Sequence, residues 1–74
     1  MAETVILEMR TAAGPIAAGP VEAAYARAIE SLWRTATDVS SRAAILRGLR
    51  PPLEAARRAD PAAVSLVVDG VEIG

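Results

Sequence analysis

The sequence predicts a small, mainly helical α+β fold, on three observations: an apolar stripe of helical period from Val21 to Trp33, a second periodic stretch ended by Pro51-Pro52, and an Asp69-Gly70 pair between two short β-branched runs. Val21, Ala24, Tyr25, Ala28, Ile29, Leu32 and Trp33 fall at i, i+3, i+4, i+7, i+8, i+11 and i+12, one face of a helix over more than three turns. Pro20 suits the first position of that helix and Gly19 its N-cap, which places it over about 20–36. Glu22, Arg27, Glu30, Ser31 and Arg34 take the other side, with Glu30 four residues before Arg34 in the favourable order for an exposed ion pair.

A second helix is expected over about 38–50, capped by Thr37 or Asp38, with Val39, Ala43, Leu46 and Leu49 on its apolar side and Ile45 beside them. Gly48 weakens it by about 1 kcal/mol relative to Ala. Pro51-Pro52 breaks it, and a short helix over 52–59 follows, giving a helical hairpin with an interrupted second arm. The chain then changes period. Residues 64–68 and 71–73 read as a β-hairpin, because Asp-Gly supplies the positive φ angles of a type I′ turn.

Thr4–Arg10 fits two readings. Val5, Leu7 and Met9 alternate with Thr4, Ile6, Glu8 and Arg10 as in a strand, whereas Val5, Met9, Ala12 and Ala13 would line a helix face. We read it as a strand over 4–10 that can pair with the C-terminal hairpin, since a lone hairpin is marginally stable in water. Between it and the first helix, Ala12-Ala13-Gly14-Pro15-Ile16 is followed in tandem by Ala17-Ala18-Gly19-Pro20-Val21. Gly-Pro twice excludes a continuous helix, so 11–20 reads as a linker, with a polyproline-like ligand as the alternative.

Seventy-four residues make a single small domain, 1–74. Ala occurs 17 times against 22 for Val, Ile, Leu, Met, Trp and Tyr together, so the apolar half of the composition buries little area and the core is thin. With no Cys to cross-link it, oligomerisation or a larger protein partner is the expected source of additional stability.

The chain contains no His, Cys or Lys, which removes the commonest general base, the thiol nucleophile, the Schiff-base amine and the P-loop lysine. Ser31, Ser40, Ser41 and Ser65 therefore lack the usual activating base. Asp60, Asp69 and Glu72 lack calcium-loop spacing, and the possible pairs Asp69 with Glu72 and Glu22 with Glu30 read as surface charge. The expectation is a protein that is not an enzyme and takes no metal or cofactor. The longest aliphatic runs, Val5-Ile6-Leu7 and Leu66-Val67-Val68, fall far short of a bilayer span, so no membrane partner is expected. The acidic start Met1-Ala2-Glu3-Thr4 is the reverse of a secretory signal and points to the cytoplasm.

Function is expected in protein–protein contacts, through self-association or docking on a larger partner. The candidate interface is the stripe residues Val21, Tyr25, Ile29, Leu32 and Trp33 with Leu66 and Val68 of the hairpin. Charge alternates along the chain, −1 over 1–20, +3 over 21–59 and −3 over 60–74, and all eight basic residues are Arg. Arg42, Arg47, Arg50, Arg57 and Arg58 accordingly define an alternative, a nucleic-acid-contacting face, with Glu54 spaced to pair with Arg50, Arg57 or Arg58. The order helix, helix, hairpin is similar to a winged helix, and strand, helix, helix to a ribbon-helix-helix protein. A pI near 5.3 and acids on the proposed wing and ribbon oppose phosphate binding.

The stretch Ala24–Arg58, with AIESLW and then SSRAAILRGLRPPLEAARR, resembles the helical core of small-terminase-like proteins of actinobacterial phages. Leu49-Arg50-Pro51-Pro52-Leu53 is similar to their "LR, two residues, then L" signature, although here Pro-Pro interrupts the helix. The resemblance covers about half the chain. It implies a non-catalytic ring or oligomer that presents viral DNA to a separate motor ATPase, a phage-type DNA-packaging or DNA-binding accessory.

Overall fold

The computed structural model describes residues 3–74. Alternation makes Thr4–Thr11 a strand, β1, whose Leu7 and Met9 are fully buried while Ile6 stands half exposed on the other face. β1 pairs antiparallel with β2 (Gly14–Glu22) on one side and β3 (Ser65–Val68) on the other, and β4 (Val71–Glu72) completes a sheet of order β2-β1-β3-β4. Two helices, α1 (Ala23–Thr35) and α2 (Val39–Arg47), and a single 3-10 turn at Glu54–Ala56 pack with the Leu7 and Met9 face.

The fold is α+β but not mainly helical: helix accounts for 35% and strand for 32% of it. The strand missing from the sequence reading lies in 11–20, which is not a linker but the tip of a hairpin and most of β2, and its excess helix lies at 20–22, 48–50 and 52–59. The reason lies in where the prolines fall. The carbonyl of Ile6 accepts the N–H of Asp69 at 2.9 Å, so its main-chain groups face the β3 side and the Ile6–Pro20 pair exchanges no hydrogen bonds. Pro20 thus presents its hydrogen-free nitrogen to the open edge of the sheet, where strand prolines belong. Pro15 lies five residues earlier, an odd spacing that would turn it inward. The register slips between Met9 and Arg10, leaving Ile16 as the extra residue of a bulge, so Pro15 pairs with Arg10 in the same phase as Pro20 with Ile6.

Because Pro20 belongs to β2, α1 begins three residues later than expected, at Ala23, whose N–H donates to the Glu3 carbonyl at 2.9 Å. Its buried side is Ala23, Ala26, Ile29 and Trp33, so the core-facing stripe is rotated from the one read in sequence and leaves Ala24, Ala28 and Leu32 outside. α2 is capped by Asp38, one of the two expected caps, and ends at Arg47 rather than 50. The helix expected over 52–59 is reduced to the 3-10 turn. What this loop contributes is apolar anchorage: Leu49, Leu53 and Ala56 are all 0% exposed. It lies so close to β2 that a Cβ on Gly19 would run into the Pro52 ring.

At the C-terminal hairpin Asp69 and Gly70 have φ of 50° and 82°, both positive as the turn requires. Leu66 and Val68 face inward opposite Met9 and Leu7. The hairpin is tied to α1 by the indole N–H of Trp33, which donates to the Gly74 carbonyl. No helix among the described residues is long and apolar enough to cross a membrane.

Candidate interaction surfaces

The register defines what the uncovered sheet face displays. Ala18, Glu8, Val67 and Glu72 form one row across it, with Val67 only 9% exposed between the two glutamates, Pro20 and Ile6 the next, and Pro15, Arg10 and Ser65 a third. Ile6 is 50% exposed at the centre. Glu8 binds the Arg10 guanidinium at 2.8 Å, the one carboxylate on this face with an ion-pair partner among the described residues. The strands and their flanks hold Glu3, Glu8, Glu22, Asp69 and Glu72 against Arg10, a net of −4. Both edges of the sheet resist extension, β2 through its two prolines and β4 through having only two residues.

The helical layer and its loops carry the opposite charge, seven arginines against Glu30, Asp38, Glu54 and Asp60, a net of +3. Arg34 pairs with Glu30 at 3.0 Å, the i,i+4 pair expected from the sequence. Glu54 makes no ion pair among the described residues, contrary to its spacing from Arg50, Arg57 and Arg58. Four of the arginines have structural tasks or none at all. Arg42 is half-buried over the Trp33 ring at 4.3 Å and caps the end of α1, its Nε donating to Ala36 O at 2.7 Å and its Nη2 to Trp33 O at 3.3 Å. Arg57 Nε donates to the Leu49 carbonyl, which fixes it beside Arg50. Arg47 and Arg58 are exposed and make no ion pair among the described residues.

Arg50 lies over the Tyr25 ring at 4.2 Å, and its backbone N–H donates to the Tyr25 hydroxyl at 3.2 Å. Together with Pro20, Val21, Glu22 and Pro51 these two residues line an open cleft of about 410 Å³ at the β2 edge. A second groove, of about 330 Å³, runs between α1 and α2 and is lined by Leu32, Thr35, Ala36, Ser41, Ala44 and Ile45. Leu32 is 52% exposed there, and Val39 at the start of α2 is 55% exposed.

Six of the seven residues expected at a protein interface are instead packed into the chain's own core or against it. Val21, Ile29, Trp33 and Leu66 are between 0% and 7% exposed, and Tyr25 and Val68 are half-buried against the same cluster. Only Leu32 remains on the surface. The exposed apolar residues the sequence reading did not select are Ile6, Val39 and Val71. For Ile6 the signal was present, because it stands in the outward phase of β1 with Thr4, Glu8 and Arg10.

Asp38 accepts from the Ser41 hydroxyl at 2.7 Å and the Ser41 N–H at 3.0 Å, and these bonds hold its carboxyl below the usual value for an aspartate. No group of three or more acidic residues close enough to hold a metal ion occurs among the described residues. Comparison with family models, curated proteins and solved structures gives no match for the chain.

Proposed function

We propose that this chain is a non-enzymatic binding protein acting through protein–protein contacts made by its two outer faces. What supports the reading is the segregation of charge. A chain whose net charge is only −1 folds into a sheet layer of −4 backed by a helical layer of +3, each with a half-exposed apolar side chain, Ile6 on one and Leu32 on the other. Complementary charge of this kind steers encounter and fixes orientation, while desolvated apolar residues hold the contact. Chemical crosslinking in the native host tests it, comparing wild type with Ile6→Arg and Leu32→Glu, whose melting temperatures are measured alongside. The expected outcome is a crosslinked protein complex that at least one variant loses at an unchanged melting temperature. Wild-type protein that crosslinks neither to itself nor to any other protein contradicts it.

A second reading, binding of nucleic acid, draws on a separate observation: Arg47 at the end of α2 and Arg50, Arg57 and Arg58 in the buried-anchored loop after it have no carboxylate partner among the described residues. It predicts binding to labelled duplex DNA that falls as salt rises and weakens when Arg47 and Arg50 are both changed to Ala. Absence of binding at low salt removes this reading.

A further inference from the structure

We infer that the cleft at the β2 edge binds an acidic peptide segment of a partner protein, a carboxylate with an apolar residue beside it, through Arg50. The inference rests on the protein-contact reading above and names the partner's chemistry at one site. Glu22, Tyr25 and Arg50 line the cleft between walls made by Pro20, Val21 and Pro51. A few polar groups set in an apolar lining is the usual composition of a ligand site. Arg50 is its one cation. The guanidinium lies over the Tyr25 ring at 4.2 Å, and its side-chain N–H groups meet no acceptor among the described residues. Stacking of this kind positions the fork and leaves its edge free, so a carboxylate can take two parallel hydrogen bonds at little cost in side-chain freedom.

The ring under it is fixed as well. Tyr25 is packed against the core cluster, and its hydroxyl accepts the Arg50 backbone N–H at 3.2 Å, which leaves the phenolic proton to donate to a peptide carbonyl. Glu22 decides the kind of ligand. With Arg50 and Glu22 both in its lining the cleft has no net charge, so it suits one carboxylate set at the arginine and a peptide N–H set at the glutamate. A nucleic-acid strand carries a charge at every phosphate and would set some of them against Glu22. Strand addition is not the mode of binding, because Pro20 removes a donor from this edge, so side chains hold the segment. Arg47, Arg57 and Arg58, which make no ion pair among the described residues, belong to the same stretch of chain and favour the approach of an anionic segment.

Titration of the full chain with the acetylated and amidated peptide Ala-Leu-Glu-Pro-Ala, followed by amide and Arg Nε–H chemical shifts, tests the site. Saturable shifts are expected at Glu22, Tyr25 and Arg50, while Ser41 and Ala44 of the second groove stay still. Replacing the peptide's Glu by Gln is expected to weaken binding about tenfold or more, and Arg50→Gln in the protein to do the same. Arg27→Ala, which removes an equal charge outside the cleft lining, is expected to leave binding unchanged. Should Arg50→Gln melt below wild type, the comparison of the two peptides on wild-type protein decides alone. Equal affinity for the Glu and Gln peptides, or no saturable shift in the cleft, overturns the proposal. Oligo-dT that shifts the cleft residues where the peptide does not assigns the cleft to nucleic acid and overturns it too. If the peptide fails while wild type still forms its crosslinked complex in the host, the acidic-segment site falls and the wider reading survives; if the complex is absent as well, both fall.

Discussion

On the side where they meet, the sheet layer and the helical layer have the same chemistry: Leu7, Met9 and Leu66 from the strands against Ile29, Trp33, Leu46, Leu49 and Leu53 from the helices and loop, all between 0% and 6% exposed. Outside that seam they are opposites in charge, −4 over the strands and their flanks against +3 over the helices and their loops. The difference separates two tasks that the sequence superimposes. Apolar residues at helical or strand period are consumed in joining the layers, and what is left for a partner is the opposite phase of each element, in which Ile6 stands beside Glu8 and Leu32 lines the uncharged groove between α1 and α2. In a chain this short the inner seam uses nearly every large side chain, so the outer faces carry few of them.

The largest effect is expected from breaking the seam. Trp33→Ala removes the largest fully buried side chain, the donor to the Gly74 carbonyl and the ring under Arg42, and is expected to cost about 3–5 kcal/mol, read by denaturant unfolding. Trp33→Phe keeps most of the volume without the N–H and is expected to cost less. Gly19→Ala comes next, at about 1–3 kcal/mol, because the added Cβ meets Pro52 and the 48–59 loop must shift off β2. Unchanged stability in that variant would mean that the loop is not seated on the strand.

The same division explains how much could be read without coordinates. Asp69-Gly70, the Asp38 cap and the outward phase of Thr4, Ile6, Glu8 and Arg10 were legible, because each rests on backbone conformation or alternation within a few residues. β2 was not. Two prolines five residues apart contradict a strand of period two unless one residue is bulged out, and nothing local announces that Ile16 is that residue. The interface was misread for a related reason. Val21, Tyr25, Ile29 and Trp33 look the same in sequence whether a second chain or the same chain covers them, and the sheet that covers them includes the stretch read as a linker. The arginines gave their charge but not their posts. That Arg42 and Arg50 would lie on Trp33 and Tyr25 follows from the turn between α1 and α2 and from the path of the 48–59 loop, not from spacing.

Substitutions on the outer faces sharpen the contrast. Ile6→Arg and Leu32→Glu are expected to change stability by no more than about 0.5 kcal/mol while at least one of them loses the crosslinked complex, the reverse of the seam variants. The smallest effect is expected at the α2 cap. Asp38→Ala is expected to lower the melting temperature slightly, and Asp38→Asn, which keeps an acceptor for the Ser41 N–H, less so. Because hydrogen bonds from Ser41 depress the folded-state pKa of Asp38, its contribution is complete above the ordinary aspartate pKa of about 3.9 and is lost as pH falls through the depressed value. Thermal melts of wild type and Asp38→Ala are therefore expected to converge in that acidic range and to differ above it.

The most direct test of one inner seam with dispensable outer faces is denaturant unfolding of Trp33→Ala, Ile6→Arg and Leu32→Glu against wild type. The account predicts a midpoint far below wild type for Trp33→Ala and midpoints close to wild type for the other two. A loss for Ile6→Arg or Leu32→Glu as large as that for Trp33→Ala contradicts it.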